Sequence, residues 1–362
     1  MLGQNAPYSK KYRAQFRRLL SNSEENVIPL SEIPTRVQDA KIPLSEQQIC
    51  ALMESPSETI DVDCFQKIIT SKKAQPSMYK RALYTIADSV VAESQKVEVH
   101  SYIDAYTCFP PPIFIISVSI IQIAIFFYYH TTQYSPKYPI TSDCAGCYIN
   151  HNNSAPGPLL FTPTLRHEVW RFLSYMFLHN GITHLITNVV VQLAVGISLE
   201  VAHKLWRIAP LYLFAVATGC LLQYAFNPSV ALVGASAGVY ALVFAHVSNV
   251  ILNWKEMPFR WLRFGILFVF IFWDIVPTLY RKFVEKTCDS ISHAGHFGGG
   301  VTGFLFGYFI LYNVVVHKWE LILQWISVAV YSAVFLICVF LAIYREPNSE
   351  EIWKNPNCEY RT

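Results

Sequence analysis

Long stretches without a single Asp, Glu, Lys or Arg constrain this chain more than any other feature: 113–129, 172–199, 208–254, 290–317 and 321–344. A bilayer core is crossed by about 20 apolar residues in helical form, so each stretch has room for a crossing. The stretch 208–254 is too long for one helix and breaks at Asn227-Pro228, where proline removes a donor and pushes its predecessor out of helical geometry. It reads as two helices joined by a tight turn. A further span fits 259–280 despite Asp274. The expected fold is an all-α membrane protein with seven transmembrane helices, at about 113–130, 174–202, 207–226, 231–252, 259–280, 291–315 and 320–344, behind a small helical soluble region.

Composition points the same way. The chain is 53% hydrophobic and 15% charged, with a mean hydropathy of +0.30, too apolar for an ordinary soluble domain. A net charge of +3 with no basic stripe offers nothing to a phosphate backbone, which excludes nucleic acid. The cysteines (50, 64, 108, 144, 147, 220, 288, 338 and 358) have the spacing of neither a disulfide framework nor a paired zinc site. Cys144-Ala-Gly-Cys147 reads as a small luminal disulfide or as nothing, and no metal or other cofactor is expected.

Residues 1–112 carry an ordinary density of charge and close at Pro110-Pro111-Pro112, which marks a domain boundary. No short apolar segment with a small-residue cleavage site opens the chain, so the first translocated segment is expected to be a mature helix. Seven crossings place the termini on opposite sides and give the N-terminal ends of spans two, four and six one shared face. The Lys and Arg of the connecting loops divide evenly between the two faces and do not orient the protein. The sequon Asn152-Asn153-Ser154 makes Asn152 a glycosylation candidate. With the missing signal it favours a cytosolic N-terminus, a luminal first loop and a luminal or extracellular tail at 345–362, in the secretory pathway or plasma membrane. Within the first region, Ser45 to Lys72 is similar to half of an EF-hand around Ile60. Met53, Ser55, Ser57 and Cys64 occupy its ligand positions, so no calcium binding is expected.

Polar side chains inside spans are costly, so where they gather is informative. Span two opens with His179, His184 and Asn188, the last two sharing a helix face. Span four opens with Gly234, Ser236 and Tyr240, Ser236 standing eight residues past Pro228; span six opens with His293 and His296, the latter seven past Asp289. At about 1.5 Å per helical residue these groups lie about 10 Å below one surface. A lone membrane serine ordinarily bonds back to its own helix and a lone histidine ordinarily packs. At one depth they can supply a nucleophile (Ser236), a base (His296) and oxyanion donors (His184, Asn188 and the Ser236 backbone N–H). Such contact needs close backbones, and Gly295, Gly299, Gly303 and Gly307 on span six, with Gly234, Gly238, Ala237, Ala241 and Ala245 on span four, provide small residues at the required spacing. His293, one turn earlier, is the rival base and is expected at the rim, and Asp274 is expected to be a polar partner near the end of span five.

These residues resemble the rhomboid intramembrane serine proteases, in particular the animal secretase-type members with six core helices and one more at the C-terminus. The resemblance rests on Trp170-Arg171, on His179, His184 and Asn188 as His-x4-His-x3-Asn, on Gly234-Ala-Ser236, and on His296, Gly299 and Gly303 as His-x-x-Gly-x-x-x-Gly. Tyr240 falls where the family carries a tyrosine packed on the catalytic histidine. Ala237 replaces the usual glycine after the serine and Gly295 the usual alanine before the histidine; both remain small. The resemblance implies a protease domain at 113–344 that cleaves single-pass transmembrane proteins near the luminal face, growth-factor precursors by analogy, without a cofactor. Trp170 and Arg171 are expected to be structural, at the membrane interface. The alternative is a catalytically inactive rhomboid-like protein that binds membrane clients. A transporter or receptor would not explain polar groups gathered at one depth beside a glycine ladder.

Overall fold

The computed structural model describes residues 7–20, 26–42, 44–71, 74–91, 95–96, 99–100, 103, 113–134, 140–141, 149–150, 155–254, 257, 259–280, 292–311 and 318–347. The chain divides into two units, Met1–Pro110 and Pro111–Thr362.

The first unit runs α1 (Pro7–Leu20), β1 (Ile28–Pro29), α2 (Ile33–Asp39), α3 (Glu46–Met53), β2 (Thr59–Ile60), α4 (Val62–Ile69) and α5 (Met78–Asp88). β1 and β2 pair antiparallel with Ile28 opposite Ile60. The helix–loop–helix legible at 45–72 is therefore one of two, the other being α1–β1–α2. Phe16, Ile28, Ile60, Phe65 and Ile69 are fully buried between them. Local chemistry starts the helices: Ser45 Oγ accepts from Gln48 N (3.1 Å) while Gln48 Oε1 accepts from Ser45 N (2.9 Å), a reciprocal cap for α3. Asp61 caps α4, accepting from Cys64 N at 2.7 Å.

The second unit is a helical bundle of α6 (Ile113–Tyr129), α7 (Gly181–His203), α8 (Leu205–Phe226), α9 (Ser236–Leu252), α10 (Arg260–Tyr280), α11 (His293–Val301) and α12 (Lys318–Tyr344). A π turn at Thr302–Phe306 and a last turn at Gly307–Ile310 prolong α11. Among the described helices α6, α7, α8 and α12 are long and apolar enough to cross a membrane, and α9 is apolar but shorter. Helices suit this solvent because every backbone group finds its partner within the segment. Ile120 and Phe127 of α6 and Ile322 and Trp325 of α12 point outward, where lipid rather than water solvates them, and Ile266 and Val269 of α10 are exposed as well. The protein is an integral, multi-pass membrane protein. Glu200 of α7 joins two helices: its carboxylate accepts from Phe114 N and Ile115 N, both at 2.9 Å, and so caps the positive end of α6.

α9 is buried along most of its length, and small residues set how closely α11 approaches it. A Cβ on Gly299 would lie 2.1 Å from Ala237 O, and one on Gly303 2.3 Å from Ala241 O. Gly307 meets Ala245. The first rung of the expected ladder is different: Gly295 faces Ser292 Oγ and the Gly219 carbonyl of α8.

Two helix starts differ from the sequence expectation. Hydropathy places the start of span two at 174, but Arg171–Ser174 and Tyr175–Phe177 form separate short turns, Leu178 is extended, and α7 begins at Gly181 with φ +78°. It places the start of span four at 231, but α9 begins at Ser236. Ahead of it Leu232 N donates to Phe161 O (3.0 Å) and Gly234 N to Tyr175 O (3.1 Å). These segments are apolar because they are buried, yet the backbone bonds of 232 and 234 go to the first loop and to the turn at Tyr175 rather than along a helix, a distinction hydropathy does not carry. Ser236 thus stands at the first position of its helix rather than more than a turn inside it.

Candidate active site

The first turn of α9 is shaped by Gly234. Its φ of +113° suits glycine alone, and a Cβ there would lie 2.8 Å from His184 Cε1 and 3.9 Å from Ser236 Oγ. The His184 ring therefore lies over the turn that presents the serine. As the first residue of α9, Ser236 contributes a backbone N–H with no partner inside the helix, at the positive end of the helix dipole. On the facing helix, Ser292 caps α11 by accepting from Gly295 N (3.2 Å) and donates to Gln223 Oε1 of α8 (2.7 Å). This cap explains the glycine at 295, since a Cβ would fall 2.5 Å from Ser292 Oγ.

One turn into α11, His296 Nε2 lies 2.8 Å from Ser236 Oγ. The geometry lets the hydroxyl donate to the imidazole. The His296 ring stacks on Tyr240 with centroids 4.6 Å apart and planes at 18°, which fixes its orientation. His293 stands edge-on to His296 at 6.3 Å.

His179 lies ahead of α7 and is buried, with its ring 5.2 Å from that of His184. A neutral ring can accept, and Ala235 N donates to its Nε2 at 3.4 Å. Asn188 donates one amide hydrogen to His184 O (2.9 Å) and carries a second.

Trp170 and Arg171 serve the first loop. Arg171 is 4% exposed; its guanidinium donates to Glu168 Oε2, Gly157 O and Leu160 O, each at 2.6 Å. Trp170 is 53% exposed and donates to Pro158 O at 3.1 Å. Asn152, Cys144 and Cys147 and the side chain of Asp274 lie outside the described residues. Among the described residues no group of three or more His, Cys, Asp or Glu side chains could hold a metal ion.

An apolar cavity of about 400 Å³ opens beside His296 and Tyr240 and runs along Phe244, Gly300 and Phe304, with Ile271 of α10 as its far wall. Sequence reasoning misses the pairing of Ser292 with Gln223; its signals are a serine just ahead of the His296 helix and a lone amide in an apolar stretch. Chemically the site combines a hydroxyl in contact with an imidazole, and a second imidazole, that of His184, over the turn that carries the hydroxyl.

The rhomboid domain family matches residues 166–313. The chain is 52% identical over 358 residues to rhomboid-related protein 1 of Caenorhabditis elegans, covering 99% of this chain and all of that protein. It is 36% identical over 252 residues to mouse rhomboid-related protein 2, covering 68% of this chain and 80% of that one. Another C. elegans relative, named inactive rhomboid-related protein 2, is 29% identical over 328 residues, covering 90% and 91%.

Proposed function

This chain belongs to the rhomboid family, and from that premise we propose that it is an intramembrane serine endopeptidase that cleaves single-pass transmembrane proteins near the luminal or extracellular face. The observation that carries the reading is the 2.8 Å contact between Ser236 Oγ and His296 Nε2. Ser236 Oγ attacks a substrate carbonyl as His296 takes its proton. The oxyanion is met by the Ser236 backbone N–H, the remaining Asn188 N–H and the His184 ring. His296 then returns the proton to the departing amine, leaving an acyl ester on Ser236. Water, deprotonated by the same imidazole, releases the second fragment. No cofactor takes part.

All seven helices of the second unit cross the bilayer in this reading. The N-terminal region, 1–112, is cytosolic and binds no metal; the tail at 345–362 is luminal or extracellular. A substrate helix must open before its carbonyl can be reached, so substrates carry Gly, Pro or small polar residues near that face, with growth-factor precursors as the leading class by analogy. The relative named inactive keeps a second reading in view, in which the protein binds membrane clients without cutting them. The test is cleavage of a single-pass reporter by the purified protein in lipid vesicles. Wild type is expected to cut, and Ser236→Ala and His296→Ala each to lose at least about 10³-fold in rate. Cutting that survives both substitutions removes the mechanism, and a wild type that binds but never cuts favours the client-binding reading.

A further inference from the structure

One turn past Asn188 on α7, three buried amide and phenol side chains close a ring among the helices around the nucleophile. Tyr212 of α8 donates its hydroxyl to Gln192 Oε1 (2.6 Å). Gln192 Nε2 donates to Gln122 Oε1 (3.2 Å) and to Ser119 Oγ (2.7 Å), both on α6. Gln122 Nε2 donates to Tyr212 Oη (3.4 Å) and to Met176 O (3.3 Å). Each amide thus uses both hydrogens and its oxygen, and the ring carries no charge. Gln192 also opens a π turn, Gln192–Gly196, a local irregularity that often marks functional positions.

Both ends of this ring reach the turn that holds Ser236. The Tyr212 ring occupies the space that a Cβ on Gly238 would fill, so it packs directly on the backbone of α9 two residues after the nucleophile. At the other end, Met176 adjoins Tyr175, whose carbonyl accepts from Gly234 N (3.1 Å) and whose hydroxyl donates to Val216 O (2.8 Å). Same-sized apolar side chains would fill this space without the cost of placing amides in the bilayer, so packing alone gives no reason for the ring.

We propose that Gln122, Gln192 and Tyr212 are positioning residues that hold Ser236 in register with His296, an inference that rests on the protease reading above. The test uses the full chain in lipid vesicles. It measures thermal unfolding, kcat and KM on a single-pass reporter, and the rate of Ser236 labelling by a fluorophosphonate. Gln192→Met strands its partners and is expected to lower both stability and kcat. The triple variant Gln122→Met, Gln192→Met, Tyr212→Phe removes the whole ring at similar volume. Its unfolding temperature is expected to return toward wild type, while kcat and labelling stay down by about 10- to 100-fold at unchanged KM. Recovery of kcat together with stability would mean that the ring is structural only and overturns the proposal, as would equal labelling of all three proteins. A wild type that neither cuts nor labels is a different failure, that of the protease reading itself.

Discussion

At the scale of single residues, contact distances separate glycines that look alike in the sequence. Gly299 and Gly303 sit where a methyl group would enter a backbone carbonyl, which no rotamer change can relieve. A methyl group on Gly265 of α10 would meet nothing within 4 Å. Gly299→Ala is therefore expected to push α11 from α9, cost about 1–3 kcal/mol or more, and separate His296 from Ser236. Gly265→Ala is expected to be neutral or stabilising by up to about 1 kcal/mol. Thermal unfolding and reporter cleavage on the two variants check this pair, and equal behaviour would show that the helix approach is not set by Gly299. The reacting groups and the glycine rows are legible because each occurs in a short spaced pattern inside an apolar stretch. Gly295, by contrast, reads as a rung of the ladder; its role depends on Ser292, whose contribution as a cap is visible only once the helix start is known.

At the scale of elements, hydropathy locates the helices well and two of their starts poorly. The chain at 175–180 and 231–235 is as apolar as a helix, but the second segment is tied to the first loop at Phe161 and to the first segment at Tyr175. Burial sets the composition of such segments, and backbone partners set their form. This is why hydropathy puts Ser236 more than a turn inside a helix when it stands at the first residue, where its own N–H is outside the helical ladder. Glu200 makes a prediction at the same scale. Its carboxylate serves two N–H groups at the start of α6, so Glu200→Ala is expected to destabilise by about 1–3 kcal/mol. Glu200→Gln, which keeps one acceptor, is expected to lose less. Thermal unfolding in lipid checks the order Ala worse than Gln, and no change with either would show that α6 needs no cap from α7.

At the scale of the whole molecule, a short list of polar groups decides the function while the apolar stretches decide the fold. The bundle brings α7, α9 and α11 together, so that residues 184, 236 and 296, distant in sequence, surround one turn of chain. The first unit shows the limit of reading local patterns: its second helix–loop–helix is revealed by the short strand pair that joins the halves, Ile28 with Ile60 and Pro29 with Thr59. A two-residue strand leaves almost no trace in composition. The central claim is that His296 makes the Ser236 oxygen nucleophilic within the membrane. Peptide mapping by mass spectrometry after fluorophosphonate treatment of the intact protein in lipid tests it most directly. The account predicts an adduct on Ser236 that is lost in His296→Ala; an adduct on another serine, or one on Ser236 that forms equally fast without His296, would contradict it.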